Sequence, residues 1–530
     1  MSVSEGQVRA ERTRYRFGPL ERRGLIAGWR GGQIGSVAVG LVFGVLALRS
    51  HPSVLGVLGA LACAGIGVAV ACWPLRGRTG EQWFPLVVRW LVAELRGGHR
   101  QPSTAPGLGH LADLDLDLGN HGKPTIRSAR PDGRGVRRPP GVFDGLRIEP
   151  VPVGDNPDAP VAGVVMDARA RTATAVLAVQ GHSFALLGPV EQDSRIAAWA
   201  RVLASMAREG SAVHRVQWVE SCLPDDGSAV RGHQLAHAEL DIDTAPGRSY
   251  RSLVDQSAPV TRRHRVLLAL SIHTAHSSRA IRASGGGDDG AAALLLREVV
   301  ALQRLVEEAD ATVEGILGPR ALASVMRETS APLNSVGGVG PDAGTIADRA
   351  PAEKEGRRSS GHPWPMVIEP QWDSVHVDAT WHATYWIAEW PRTDVTPDFL
   401  GPLLFSPLRR SVSLVMEPVS PIRAARQVAQ ARTADIADGE LRRRGGFLVT
   451  ARQTREKEGA EHRDVELADG HAQYRFSGYV TVTADSPDEL RDGCGSIEQA
   501  AGQSRMELRR LYGEQDAAFA CTMPLGRGLT

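Results

Sequence analysis

Cysteine and lysine are the scarce residues of this 530-residue chain. Its five cysteines (Cys63, Cys72, Cys222, Cys494, Cys521) are scattered, odd in number, and never paired as C-x-x-C. That excludes a disulfide framework and offers no zinc-ligand spacing. They read as small buried residues in a reducing cytoplasm. Only Lys123, Lys354 and Lys457 are lysines among the 61 basic residues. None stands in a G-x-x-x-x-G-K-[ST] loop, whose lysine must reach the β- and γ-phosphates, so the chain is not expected to hydrolyse ATP. Net charge is also lacking: 61 Lys+Arg against 60 Asp+Glu leave +1, too little to coat nucleic acid along a whole surface. No G-x-S-x-G elbow is present, which leaves a hydrolase unsupported. His264, His273 and His276 lack a third well-spaced partner for a metal, and Asp225-Asp226 before Gly227 reads as a turn rather than a transferase motif. No cofactor, metal or catalytic residue is expected.

What the chain does have is apolar sequence in two runs. No charged residue occurs from Gly31 to Leu48 or from Ser53 to Leu75, and Arg49-Ser50-His51-Pro52 separates them. A transmembrane helix needs about 20 apolar residues. The pair therefore predicts a tight transmembrane hairpin over 31–75; a buried pair of soluble helices is the alternative. The 30 residues before it are rich in arginine, and Arg76, Arg78, Arg89 and Arg96 follow it. Under the positive-inside rule both termini are cytoplasmic, and the protein is a multi-pass protein of the cytoplasmic membrane. Gly40, Gly44, Gly65 and Gly67 suit close helix approach, either within the hairpin or to partner subunits. Over 79–96, Trp83, Phe84, Val87, Trp90, Leu91 and Leu95 recur at helical spacing. That predicts an amphipathic helix, either lying at the bilayer surface with Trp83 and Trp90 as anchors or packed on the soluble domain.

The remainder is expected to be an α+β body facing the cytoplasm. Residues 97–141 are Gly/Pro/Arg-rich and read as a disordered linker, either plainly solvated or with its basic residues on anionic lipid or nucleic acid. A first lobe spans 142–330, with strands at Val161–Asp167, Ala173–Val179, His214–Glu220 and Arg265–His273. Its helices fall at Glu191–Arg208, within Val230–Leu253, at Asp289–Ala309 and near Arg320–Thr329. A mobile loop fills 331–363. A second lobe spans 364–530, with strands at Ser374–Asp378, Thr380–Glu389, Arg410–Glu417, Tyr474–Ala484 and Met506–Leu511. Pro397–Phe405, Ser486–Gln503 and Glu514–Cys521 read as helices, and Pro421 to Leu467 as a projecting helical hairpin. The β-α-β spacing recurs, so two related lobes are expected. Trp364, Trp372, Trp381, Trp386 and Trp390 cluster in the second. Period-two alternation puts Trp386 and Trp390 on one strand face and Trp381 on the other, either as core or as a partner-binding hot spot.

Arg14-Tyr15-Arg16-Phe17-Gly18-Pro19-Leu20-Glu21-Arg22-Arg23-Gly24 ahead of a two-helix hairpin resembles an actinobacterial membrane protein family found with conjugation and type IV secretion-like gene sets. The hairpin is similar to the small PrgI/VirB-type inner-membrane subunit. The C-terminal part resembles the non-motor N-terminal domain of the large type IV secretion ATPase at Tyr385–Pro391, Pro397–Leu404, Glu507–Gln515 and Ala518–Leu529. In the ATPase such a segment leads into the motor; here the sequence ends at Thr530. The resemblance implies a non-catalytic scaffold that docks a separate motor ATPase and other secretion-system membrane subunits. Nucleic acid would be met only indirectly, and homo-oligomers are compatible with this role. Pro524, Leu525, Gly526 and Arg527 are the candidate docking tail, with a plain surface terminus as the alternative. Two other readings stand beside it: an EccE-like membrane component of a type VII secretion complex, and a membrane-anchored enzyme such as a glycosyltransferase.

Overall fold

The computed structural model describes residue 17 and residues 31–50, 52–75, 78–95, 101–102, 139–154, 160–181, 184–225, 244–257, 262–331, 364–430, 433, 459 and 465–529. Helix α1 (Gly31–Ser50) and helix α2 (Val54–Cys72) pack side by side. Ser53 caps α2 by accepting from the amide of Gly56, 3.4 Å away, so the short connector ends where the second helix must begin. Helix α3 (Gly80–Leu95) follows after a small ladder pairing Pro74–Leu75 with Arg78–Thr79.

The body is built on one 13-stranded sheet. Its first half contains β1 (Leu146–Pro152), β2 (Val161–Asp167), β3 (Thr172–Gln180), β4 (Val213–Pro224), β5 (Arg262–His273) and β6 (Thr312–Ile316). Its second contains β7 (Val367–Pro370), β8 (Val375–Val377), β9 (Thr380–Glu389), β10 (Arg410–Val419), β11 (Gln473–Ala484) and β12 (Glu507–Arg510). Helices α4 (Pro189–Met206), α5 (Ala245–Ser257), α6 (Ser278–Ala283), α7 (Gly287–Glu308) and α8 (Pro319–Ser330) connect the first set. Helices α9 (Gly401–Leu404), α10 (Pro487–Gln503) and α11 (Gln515–Ala520) belong to the second.

Spatial order runs Gln101–Pro102, β7, β8, β9, β11, β10, β4, β5, β3, β2, β1, with β12 alongside β9 and β6 alongside β3. Each half therefore repeats the other. The third strand of each half pairs with the second, the fifth and the sixth. A long helix (α7 or α10) links fifth to sixth, and a bulge falls where the sixth joins (Ala178/Val179 and Ile387/Glu389). The halves meet through antiparallel pairing of the equivalent strands β4 and β10, from Arg410 opposite Cys222 to Met416 opposite Val216. The recurrence read in the sequence is thus a recurrence of topology, but the halves share one sheet.

Two covered faces stabilise it. On one, α4 and α7 bury Leu177, Leu268, Leu270 and Leu295 over the first half, and α10 buries Val480, Val482 and Ile497 over the second. On the other, α8 and α11 bury Leu322, Met326 and Phe519 among Leu146 of β1 and Ile368 of β7. Strands from both ends of the order contribute to this one cluster, so the sheet curls around α8 and α11. The 97–141 linker, the 331–363 loop, the Val230–Leu253 helix and the 421–467 hairpin lie largely outside the described residues. Within them, Gln101–Pro102 is a strand against β7, residues 421–430 are helical, and helix α5 begins only at Ala245.

Candidate functional site

Among the described residues the hairpin is joined through small residues, meets the start of α3 at one end, and is largely exposed elsewhere. A Cβ on Gly40 would lie 2.8 Å from the carbonyl oxygen of Cys63 and 3.0 Å from the Cα of Gly67. Gly44 meets Ala60 in the same way, so the two backbones touch along a glycine–alanine seam. Both helices are long and apolar enough to cross a membrane, and only 11% and 17% of their apolar windows are buried. Their outward side chains (Leu41, Phe43, Leu46, Leu58, Leu61, Ile66) stand exposed. The seam accounts for Gly40, Gly44 and Gly67, whereas a Cβ on Gly65 would meet nothing within 4 Å.

Helix α3 turns its tryptophans toward the body. Trp83 stacks on Trp372 (5.9 Å between centroids, 28° between planes) and lies 6.0 Å from Tyr512. Trp90 meets Trp372 edge-on at 5.5 Å. Arg78 pairs with Glu514 at 3.4 Å and covers the ring of Trp83, and Arg89 donates to the carbonyl of Gly513. The structure packs both tryptophans against the body. Trp372 and Tyr512 complete the contact. Their pairing with α3 was not readable in the sequence, because they lie some 290 and 430 positions away along the chain.

Phe17, ahead of the hairpin, also reaches the body. Its ring lies 5.2 Å from Trp390, 5.3 Å from Phe399 and 6.4 Å from Phe476. Trp390 therefore contacts a residue of its own chain. Trp386 donates from its ring nitrogen to Ser477 Oγ at 2.9 Å, beneath the guanidinium of Arg509. The two tryptophans do not share a face. The bulge between Ile387 and Glu389 breaks the alternation, so Trp390 joins Trp381 in the cluster under α10, while Trp386 joins Tyr479 and Leu511 on the opposite side. An aromatic residue inside an arginine-rich arm was the available signal for Phe17.

The candidate docking tail is packed into the body. Pro524, Leu525 and Gly526 are buried, with Leu525 in the same core as Phe519 and Met523. Gln217 in the middle of β4 clamps the strap: its Oε1 accepts from Gly526 at 2.7 Å and its Nε2 donates to the carbonyls of Cys521 and Met523, both at 2.9 Å. Arg527 holds Asp167 through Nε (3.0 Å) and Nη2 (2.7 Å). Gly526 has φ +66°, and a Cβ there would fall 2.1 Å from Ser271 Oγ. These residues close the curled face of the sheet.

Charged and titratable groups gather at two further places. The fully buried Arg410 pairs with Glu220 and donates to the carbonyl of Leu404, while His264 Nδ1 lies 2.7 Å from the other oxygen of Glu220. This pins α9 to the β4–β10 junction. At the far end of β5, His273 stacks on His276 at 4.1 Å and faces His214 at 5.2 Å. The histidine trio close in sequence is thereby split, with His214 taking the place of His264. Burial lowers His214 to about 4. His382 is lowered to about 3 by complete burial, with its Nε2 donating to the carbonyl of Ser330 and its Nδ1 accepting from Thr483. Among the described residues no group of three or more His, Cys, Asp or Glu is placed to hold a metal ion. No family model and no curated protein matches the chain.

Proposed function

We propose that the chain is a non-catalytic scaffold of the cytoplasmic membrane. The hairpin spans the bilayer, and the arm before it and the body after it lie on the cytoplasmic side. The observation that carries this reading is the apolar exposed surface around α1 and α2. Soluble proteins rarely leave an apolar patch beyond a few hundred Å² uncovered, and here two helices are largely exposed apart from their seam and the end that meets α3. Contact between Phe17 and Trp390 supports the topology. Segments on either side of the hairpin meet, as they must if it enters and leaves through the same membrane face. The arginines flanking both helices agree with a cytoplasmic side.

The duplicated sheet then forms a two-part platform for partners. Its assignment to a type IV secretion or conjugation-like machine, with a separate motor ATPase, rests on the resemblance at Arg14–Gly24, Tyr385–Pro391 and Glu507–Gln515. The test is purification of the tagged protein from its native host in detergent, followed by mass spectrometry. Recovery of a phosphate-loop ATPase with other membrane subunits supports the scaffold, and their identities separate type IV from type VII machinery. A partner-free protein refutes it and favours a membrane-anchored enzyme.

A further inference from the structure

Helix α3 has two apolar faces, and the body covers only one. Trp83, Leu86 and Trp90 recur at 3–4-residue spacing, with Leu86 buried and both tryptophans on Trp372. Phe84, Val88, Leu91 and Leu95 recur at the same spacing about a quarter-turn away. They are exposed, Phe84 to 71%, Leu91 to 51% and Leu95 to 87%. No charged side chain interrupts this second stripe, and Arg89 is turned to the carbonyl of Gly513.

The start of α3 rests on the body-proximal end of the hairpin. A Cβ on Gly80 would meet the carbonyl oxygen of Val70 at 2.9 Å, in the last turn of α2. One on Gly32, in the first turn of α1, would meet Glu81. The exposed stripe therefore starts beside the last turn of α2, where Trp73 is also exposed. Tryptophan at that level marks a membrane–water boundary, and a helix with one apolar face settles in its plane.

Resting on the membrane reading of α1 and α2, we infer that the Phe84–Val88–Leu91–Leu95 face of α3 lies on the lipid bilayer surface. The tryptophan face holds the body against the helix. The expected anchors thus change roles: Trp83 and Trp90 bind protein, and the aliphatic stripe binds lipid. With one face on Trp372 and Tyr512 and the other on the headgroup region, α3 fixes the tilt of the sheet relative to the membrane.

The test places the photocrosslinker p-benzoylphenylalanine at Leu91, at Phe43 in the hairpin, or at Leu253 on the body. The full-length chain is reconstituted in phosphatidylcholine–phosphatidylglycerol nanodiscs, and lipid adducts are read by mass spectrometry. Lipid adducts at Phe43 and Leu91 with none at Leu253 are expected. Adducts at Phe43 but none at Leu91 overturn the inference and leave the membrane hairpin standing. A protein adduct at Leu91 overturns it in favour of a second copy or a partner. Absence of lipid at both positions overturns the membrane reading itself. Leu95, the most exposed residue of the stripe, serves if the Leu91 variant does not fold.

Discussion

Replacing Arg527 separates a structural strap from a docking tail. In the native chain its guanidinium makes two hydrogen bonds to Asp167, whose carboxylate is only 3% exposed. The other oxygen of Asp167 accepts from the amides of Arg169 and Ala170, so it stays in place when Arg527 is cut back. Arg527→Ala leaves that buried carboxylate without its cation. Removing one partner of a buried pair costs about 3–5 kcal/mol. Arg527 keeps 20% of its side chain in solvent, which favours the lower end, about 3 kcal/mol. In a body of this size that lowers Tm by about 5 °C. Arg527→Lys keeps one charged hydrogen bond but loses the fork, and falls between the two. The assay is thermal unfolding of the detergent-purified chain, followed by circular dichroism and by partner recovery from the native host. An unchanged Tm with loss of a partner would refute the strap and restore the docking tail.

Other outcomes follow from the same geometry. Gly526→Ala forces a Cβ toward Ser271 at a positive φ and should destabilise the body by about 1–3 kcal/mol, read by the same melt. Gly40→Leu must part α1 from α2, since the position lies 3.0 Å from the Gly67 backbone; a lowered aggregation temperature in detergent reports it. Phe17→Ala removes the arm from Trp390, Phe399 and Phe476 and should speed tryptic cleavage ahead of the hairpin, with the body's Tm nearly unchanged. His214 and His382 hold their protons less tightly folded than unfolded, with folded values of about 4 and about 3. Between the ordinary histidine value of about 6.5 and those values the unfolded chain binds more protons. Stability is therefore full above pH ~6.5 and falls as the pH drops below it, and His382→Gln should flatten part of that slope in a Tm–pH series.

Local structure was readable where the signal was local. The strands read at Val161–Asp167 and Ala173–Val179 fall within the observed Val161–Asp167 and Thr172–Gln180, and the Ser486 cap accepts from Glu489 as its pattern indicates. Leu146–Pro152 and Thr312–Ile316 were not readable: each is an outer strand, with proline or glycine interrupting a half-exposed pattern. One sheet instead of two lobes depends on β4 meeting β10 across some 190 positions, a pairing no window of sequence contains. The packing of the tail was not readable for a related reason. Pro524, Gly526 and Gly528 signal a loop, yet Met523 and Leu525 fill the core and Gln217, far away on β4, supplies the hydrogen bonds. The Trp390 face was misassigned because period two assumes an unbroken ladder, and the Ile387/Glu389 bulge breaks it. The two long apolar helices were the most legible element, since their signal is composition alone.

The central claim is that α1 and α2 cross the bilayer with arm and body on one side. Its most direct test is labelling by a membrane-impermeant maleimide in intact cells and in lysed membranes, using Ser53→Cys in the connector and Asp488→Cys on the body, each against the unsubstituted chain. The account predicts that Ser53→Cys labels in intact cells and Asp488→Cys only after lysis. Labelling of both from the same side, or extraction of the protein from membranes by alkaline carbonate, would contradict it.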